Sequence, residues 1–228
     1  MAALLKKALP AYTKLAQLET LCRSFVGQTV QLQLTFMGRQ IQVINTNIVG
    51  DLLEDVFFHG GLKDLGDFVE GPLQESPDFY AEDKTFLFEQ KVFAKTPGFD
   101  ISNYGEFVDT MAAEGGVFKK LFRTKYLVFE YEIVPEGVRI KTFSLLSIWQ
   151  LPNYTGMNPL SVQNKRGVWY NLRPQGASSW SDATKTPARF IEALKESIRQ
   201  CPNAIQDKEA KISSIDAQWQ AIQAEYAV

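Results

Sequence analysis

At 228 residues, with 45% hydrophobic and 12% aromatic residues, the chain is long enough to bury a substantial core and too apolar to be disordered. A formal net charge of −2 argues against a globally basic nucleic-acid binder, and no apolar run approaches the roughly 20 residues that span a bilayer. The two cysteines, Cys22 and Cys201, lie near opposite ends and build neither a disulfide framework nor a zinc site, so buried thiols in a cytoplasmic protein are expected.

In chain order, residues 2 to 26 read as helical. Leu15, Leu18, Leu21, Cys22 and Phe25 recur at helical spacing, Pro10 breaks or starts the helix, and Gly27 ends it. "TVQLQLTFMGRQIQVIN" alternates on both sides of Met37-Gly38-Arg39, the pattern of an antiparallel hairpin with one dry face. A short helix follows, capped by Thr46 or Asn47 and ended by Gly60-Gly61, and it carries Glu54. Residues 76 to 93 form a second hairpin around the polar turn "AEDK". "KYLVFEYEIV" and "VRIKTFSLLSIW" supply further β-rich strands, and "ISNYGEFVDTMAAEGGVFKKLF" between the hairpin and these strands reads as helix and loop. "PLSVQNKRGVWYNLRP" reads as a strand pair turning at Lys165-Arg166-Gly167, and two helices separated near Pro202 close the chain. The expected fold is α/β or α+β, a mixed central β-sheet flanked by helices at both chain ends in one domain. Its core would be about residues 46 to 190, with a helix and hairpin in 1 to 45 and the closing helices in 191 to 228.

Charge is unevenly spread. Asp51 to Glu136 holds 18 acids against 8 Lys and Arg, whereas Arg139 to Phe190 holds seven bases against the single acid Asp182. Phosphate binding depends on local potential, so a polyanion partner is compatible with the total; a merely uneven surface is the plainer alternative.

The chemistry concentrates in "SPDFYAEDKTFLFEQKVF". Residues i and i+2 of a strand share a face, so Glu89 and Lys91 lie side by side while Phe88 and Gln90 face away. The turn folds Asp78 back beside them. Two adjacent carboxylates repel unless a proton or cation intervenes, and magnesium takes one or two carboxylates plus waters and phosphate oxygens. Lys91 would add positive charge beside an attacking water or a transferring phosphate. The plainer alternatives are a Pro-Asp turn, a same-face ion pair, and for Glu54 a solvated helix position. A lone histidine, His59, leaves no serine triad; there is no Gly-x-x-x-x-Gly-Lys-Ser/Thr loop for a nucleotide; a glycosidase has no use for Lys91.

Pro77-Asp78, ten residues, then Glu89-Gln90-Lys91 resembles the motif of the PD-(D/E)XK nuclease superfamily, and Glu54 resembles the helix acid that many of its members place near the metal. "KTPGFDISNYGEFV" and the run Gln163, Lys165, Arg166, Gly167, Tyr170, Asn171, Arg173, Pro174 are similar to stretches of bacterial type II restriction endonucleases. The resemblance implies Mg2+-dependent hydrolysis of double-stranded DNA at a short palindromic site by a homodimer. Catalytic residues would be Asp78, Glu89, Lys91 and Glu54, with Asp78, Glu89 and the backbone carbonyl of Gln90 as metal ligands. Gln163, Asn164, Lys165 and Arg166 would read base edges within a basic stretch running from Arg139 onward and including Arg173. Lys119, Lys120, Arg123 and Lys125 would contact phosphates. A repair-type or nonspecific nuclease of that superfamily, or a non-catalytic DNA-binding or assembly module, are the alternatives. The terminal segments would serve dimerisation.

Overall fold

The computed structural model describes residues 6–43, 46–72, 76–156 and 158–228. In chain order these form α1 (Leu15–Ser24), β1 (Thr29–Val30), β2 (Gln33–Phe36), β3 (Arg39–Gln42), α2 (Thr46–Gly60), β4 (Val69–Glu70), β5 (Phe79–Ala81), β6 (Phe86–Phe93) and β7 (Ser102–Asn103). There follow α3 (Tyr104–Ala112), the short α4 (Gly116–Phe118), β8 (Thr124–Val134), β9 (Gly137–Leu146), β10 (Val162–Lys165), β11 (Val168–Leu172), α5 (Pro187–Gln200) and α6 (Lys208–Glu225). They group into two compact units interleaved along the chain. One is Tyr12–Pro97 with Lys125–Leu146; the other takes the chain up to Ala11, Gly98–Thr124 and Ser147–Val228.

The first unit is built on a six-stranded sheet in the order β1-β9-β8-β6-β5-β4, the mixed central sheet expected. One sheet face buries Phe79, Phe86, Phe88, Leu127 and Phe129 against the stripe Val49, Leu53, Phe57 of α2 and against Leu18 and Cys22 of α1. Those helix residues recur every fourth position, which is why these segments are amphipathic helices. Phe57 meets Phe129 at 4.4 Å between ring centroids, and each fully buried ring of this kind contributes about 1.5–3 kcal/mol.

Two expectations are corrected here. The first helix is shorter than residues 2 to 26; residues 1 to 5 lie outside the described part, and helix begins only at Leu15. Pro10 disfavours helix at the residue before it, and in the second unit the main chain of Lys7 is spent on Glu225 and Ala227. The β2–β3 hairpin forms as expected, but its turn is the two residues Met37 and Gly38, both at positive φ (50° and 73°), with Arg39 already paired to Phe36 and Leu34 opposite Ile41. Its apolar face is not dry. Leu32 and Val43 at the base are buried, but Leu34 is 60% exposed and Phe36 68%, because among the described residues of this unit nothing packs on the two-stranded ribbon beyond its root. The caps assigned to Thr46 and Asn47 lie outside the described side chains.

In the second unit, β10, β11 and β7 form a three-stranded antiparallel sheet. The two closing helices are as expected, α5 starting with Pro187 behind a Thr186 cap whose hydroxyl accepts from Arg189 N at 3.2 Å. Their apolar faces are buried: Phe190 meets Phe107 of α3 edge-on, Tyr104 and Ser197 hydroxyls lie 2.6 Å apart, and Ile212, Ile215 and Trp219 of α6 are covered. Cys22 and Cys201 are buried free thiols. Among the described residues no helix is long and apolar enough to cross a membrane.

Candidate active site

The site lies wholly in the first unit, at the open end of the β5–β6 hairpin. Phe79 pairs with Phe88, so the register continued by one residue sets Asp78 opposite Glu89. The hairpin closes through Glu82, Asp83 and Lys84, all at positive φ, a strained turn held by Thr85 N donating to Glu82 O and by Thr13, whose N–H and hydroxyl both donate to the Glu82 carboxylate. At the other end Asp78 Oδ2 accepts from Gln90 N at 2.5 Å, and Asp78 O accepts from Gly71 N at 2.7 Å. Gly71 is required there, since a Cβ would fall 1.8 Å from the Pro77 oxygen.

The side chains of Asp78, Glu89 and Lys91 converge. Lys91 Nζ stands 3.6 Å from Asp78 Oδ2 and 3.4 Å from Glu89 Oε2, and the three side chains are only 16%, 5% and 20% exposed. Glu89 Oε1 accepts a hydrogen bond from the Ser76 hydroxyl. Burial pushes the Asp78 carboxyl up to about 6, with Lys91 opposing and Glu89 adding to the rise. Burial also lifts Glu54 on α2 to about 7, helped by Asp78 and opposed by Lys91, so this acid feels the same pocket. For Lys91 burial lowers the ammonium's pKa, but Glu89 and Asp78 together outweigh it and hold the group above its usual range. Tyr126, fully buried nearby, is raised well above the ordinary phenol value by burial and then by Glu89 and Asp78.

Three acids facing one ammonium leave the pocket short of positive charge, which a divalent cation would supply. Among the described residues no three Asp, Glu, His or Cys side chains gather as a ligand cluster. Such a cation would therefore draw two carboxylates from the protein, Asp78 and Glu89, a donor set that suits magnesium and leaves room for waters and phosphate oxygens. The Gln90 amide, 5% exposed, has neither its nitrogen nor its oxygen hydrogen-bonded among the described residues, so the site engages Gln90 through its main chain. Sequence reasoning missed Ser76, although its place two residues before Asp78 on an extended segment was a usable signal.

Of the residues expected to touch DNA, Lys125, Arg139 and Lys141 fall in the first unit, where burial lowers the pKa of the Lys125 ammonium, and the others fall in the second. Arg166 (φ 55°) and Gly167 (φ 83°) form the tip of the β10–β11 hairpin, with Asn164 Oδ1 accepting from Gly167 N at 3.0 Å. Asn164, Lys165 and Arg166 are exposed, and Lys165 Nζ lies 5.5 Å from the Tyr170 ring centroid. Gln163, Asn171 and Arg173 line the same hairpin. Lys119 is exposed, Lys120 is buried at 8% exposure, and Arg123 stacks over Phe118 at 5.2 Å. In the basic stretch from Arg139 onward, Lys185 is buried with its Nζ on Gln150 O at 2.7 Å, and across the β8–β9 pair Arg139 binds Glu132 and Lys141 binds Glu130. Cross-strand register brings those bases onto acids, a pairing invisible in a linear count of charge.

Comparison with known proteins gives the class. The solved structure of the NlaIV restriction endonuclease matches with a TM-score of 0.72 at 22% identity, covering 94% of this chain and 89% of that one, so the fold is a restriction-endonuclease fold. The type II restriction enzyme NlaIV of Neisseria lactamica is 25% identical over 187 residues, 75% of this chain and 74% of its own. The family model of the NgoBV restriction endonuclease matches residues 8–226, and the chain belongs to that family. The resemblance to type II restriction endonucleases is borne out, and the protein is a nuclease of that kind.

Proposed function

We propose that this endonuclease cuts double-stranded DNA at a short palindromic sequence, with Mg2+ held by Asp78, Glu89 and the main-chain carbonyl of Gln90. The convergence of Asp78 and Glu89 on Lys91 Nζ, at 3.6 and 3.4 Å, in a pocket that is short of positive charge carries this reading. When bound, the cation supplies charge neutralisation at the scissile phosphate and acidifies a water. Lys91, kept protonated by its two acidic neighbours, acts as a donor and not as a base: it orients the attacking water or a phosphate oxygen and offsets charge that builds at phosphorus. Ser76 and Gln90 N fix the orientation of the two carboxylates, and Glu54 adds a third acid at the pocket edge. Attack of water on phosphorus, with one of its protons released to solvent, forms the new P–O bond and breaks the bond to one sugar oxygen, which leaves with a proton from solvent.

The exposed β10–β11 hairpin, with Gln163, Asn164, Lys165 and Arg166, is suited to base edges, and Lys119 and Arg123 to phosphates. A two-fold palindrome calls for a homodimer with one active site per strand. The bare Leu34, Phe36, Met37 and Ile41 of the β2–β3 hairpin supply a surface of the kind a second copy covers. The test is a plasmid digest with Mg2+, with EDTA, and with Asp78→Ala and Lys91→Ala. Discrete fragments are expected only from wild type with metal, each substitution slowing cleavage by about a thousandfold. Undiminished cutting by either variant overturns the assignment, and sequencing the ends gives site and stagger.

A further inference from the structure

Beside the DNA-facing hairpin, the second unit carries a polar network that no catalytic role uses. Asp100 lies just before β7. Its Oδ1 accepts from Arg173 Nε at 2.8 Å and its Oδ2 from Asn171 Nδ2 at 2.8 Å; Asn171 Nδ2 also approaches Gln163 Oε1 at 3.4 Å. The main chain beneath is tied on both sides. Ile101 N donates to Leu172 O at 2.8 Å, Ser102 pairs with Leu172, and Arg173 N donates to Ser161 O at 3.0 Å. Backbone pairing thus sets the carboxylate beside the guanidinium, across a sequence separation of 73.

With side chains 33% and 47% exposed, this ion pair adds little to stability, because water screens it and two side chains must be ordered to form it. Its effect is directional. A guanidinium held through Nε by one carboxylate oxygen keeps both Nη groups for other acceptors, and neither has a protein partner among the described residues. That free, planar pair of donors is the group that bonds O6 and N7 of guanine in the major groove. The second carboxylate oxygen steadies Asn171, which in turn occupies Gln163 Oε1 and leaves Gln163 Nε2 as a donor.

We propose that Asp100 is a positioning residue for sequence recognition: it clamps Arg173, and through Asn171 also Gln163, so that the outer edge of the guanidinium reads a guanine in the major groove. This rests on the reading of Arg173 and the β10–β11 hairpin as the DNA-contacting surface. Once the cut site is known, wild type, Asp100→Ala, Asp100→Asn, Arg173→Ala and the Asp100→Ala/Arg173→Ala double variant are assayed on the cognate duplex and on every single base-pair substitution of it. Arg173→Ala relaxes discrimination at one base-pair position by about ten- to a hundredfold, the range of a bidentate contact. Asp100→Ala relaxes the same position, and the double variant is no worse than the worse single one. Asp100→Asn, which keeps one acceptor for Arg173 Nε, restores part of the discrimination and carries the test if the alanine variant fails to fold. Circular-dichroism melts of Asp100→Ala stay within a few degrees of wild type, which separates positioning from unfolding. Wild-type discrimination in both Asp100 variants, at a position that Arg173→Ala relaxes, overturns the proposal. So does a uniform loss of binding in Arg173→Ala with a lower salt slope, the mark of a phosphate contact. A wild-type digest without defined ends overturns the sequence-specific reading beneath it as well, and so tells the two failures apart.

Discussion

Asp78, proposed above as a metal ligand, works against the fold that carries it. Its carboxyl titrates near 6 in the folded chain against an ordinary 3.8, with burial as the leading cause. A raised acid contributes stability that is full below 3.8 and lost as pH rises through 6, so the metal-free protein weakens across that window. Asp78→Asn keeps the shape, still accepts from Gln90 N through its amide oxygen, and carries no charge. In EDTA at pH 8 thermal melts should show this variant more stable than wild type by about 1–3 kcal/mol, with the gap closing towards pH 4. Added Mg2+ should raise the wild-type melting temperature at pH 8 and leave the variant unmoved. A variant less stable than wild type at pH 8 contradicts the account. Lys91 makes the complementary point: two acids keep it charged, so a pH–rate profile governed by its deprotonation near neutrality would remove it from the donor role.

At the scale of elements, the β5–β6 hairpin and the strap before it act together. Gly71 holds Asp78 O through its N–H, and its missing Cβ makes room for the Pro77 carbonyl. Gly71→Ala must push that backbone away, which should cost about 1–3 kcal/mol in chemical denaturation and weaken Mg2+ binding measured by calorimetry. An Ala variant with wild-type Mg2+ affinity would show that the strap does not position the carboxylate. The β10–β11 hairpin carries exposed charge at its tip, Lys165 and Arg166. Lys165→Ala and Arg166→Ala should leave stability within about 0.5 kcal/mol while altering DNA binding. Where either side chain touches a phosphate, the slope of log Kd against log salt falls by about one; where it reads a base, the slope holds and one position loses discrimination. Variants that bind like wild type at every salt concentration would remove this hairpin from the interface.

For the whole molecule, association is the testable property. The apolar face of the β2–β3 hairpin is continuous with the core at Leu32 and Val43 and bare at Leu34, Phe36 and Ile41. Leu34→Glu with Phe36→Glu should convert a dimer to a monomer in sedimentation velocity, with little change in the melting of the chain itself. Sedimentation identical to wild type would place the two-fold contact elsewhere. The closing helices α5 and α6, expected to serve dimerisation, spend their apolar residues on α3 and on each other, which leaves the hairpin the stronger of the two surfaces.

Sequence alone determined what depends on neighbours along the chain. Alternation and turn residues gave both hairpins, cap and glycine signals gave α2, Pro202 separated the two closing helices, and a ten-residue separation was short enough for hairpin pairing to bring Asp78 to Glu89 and Lys91. Tertiary structure decided whatever needed a partner distant in sequence: the shortened α1, the bare face of the β2–β3 ribbon, the buried Lys120 and Lys185, and the pairing of Asp100 with Arg173. Pattern encodes which face of an element is apolar, because periodicity is a property of the local backbone. Whether that face is covered, and whether a given charge meets water or its opposite, depends on which distant segments the fold brings against it.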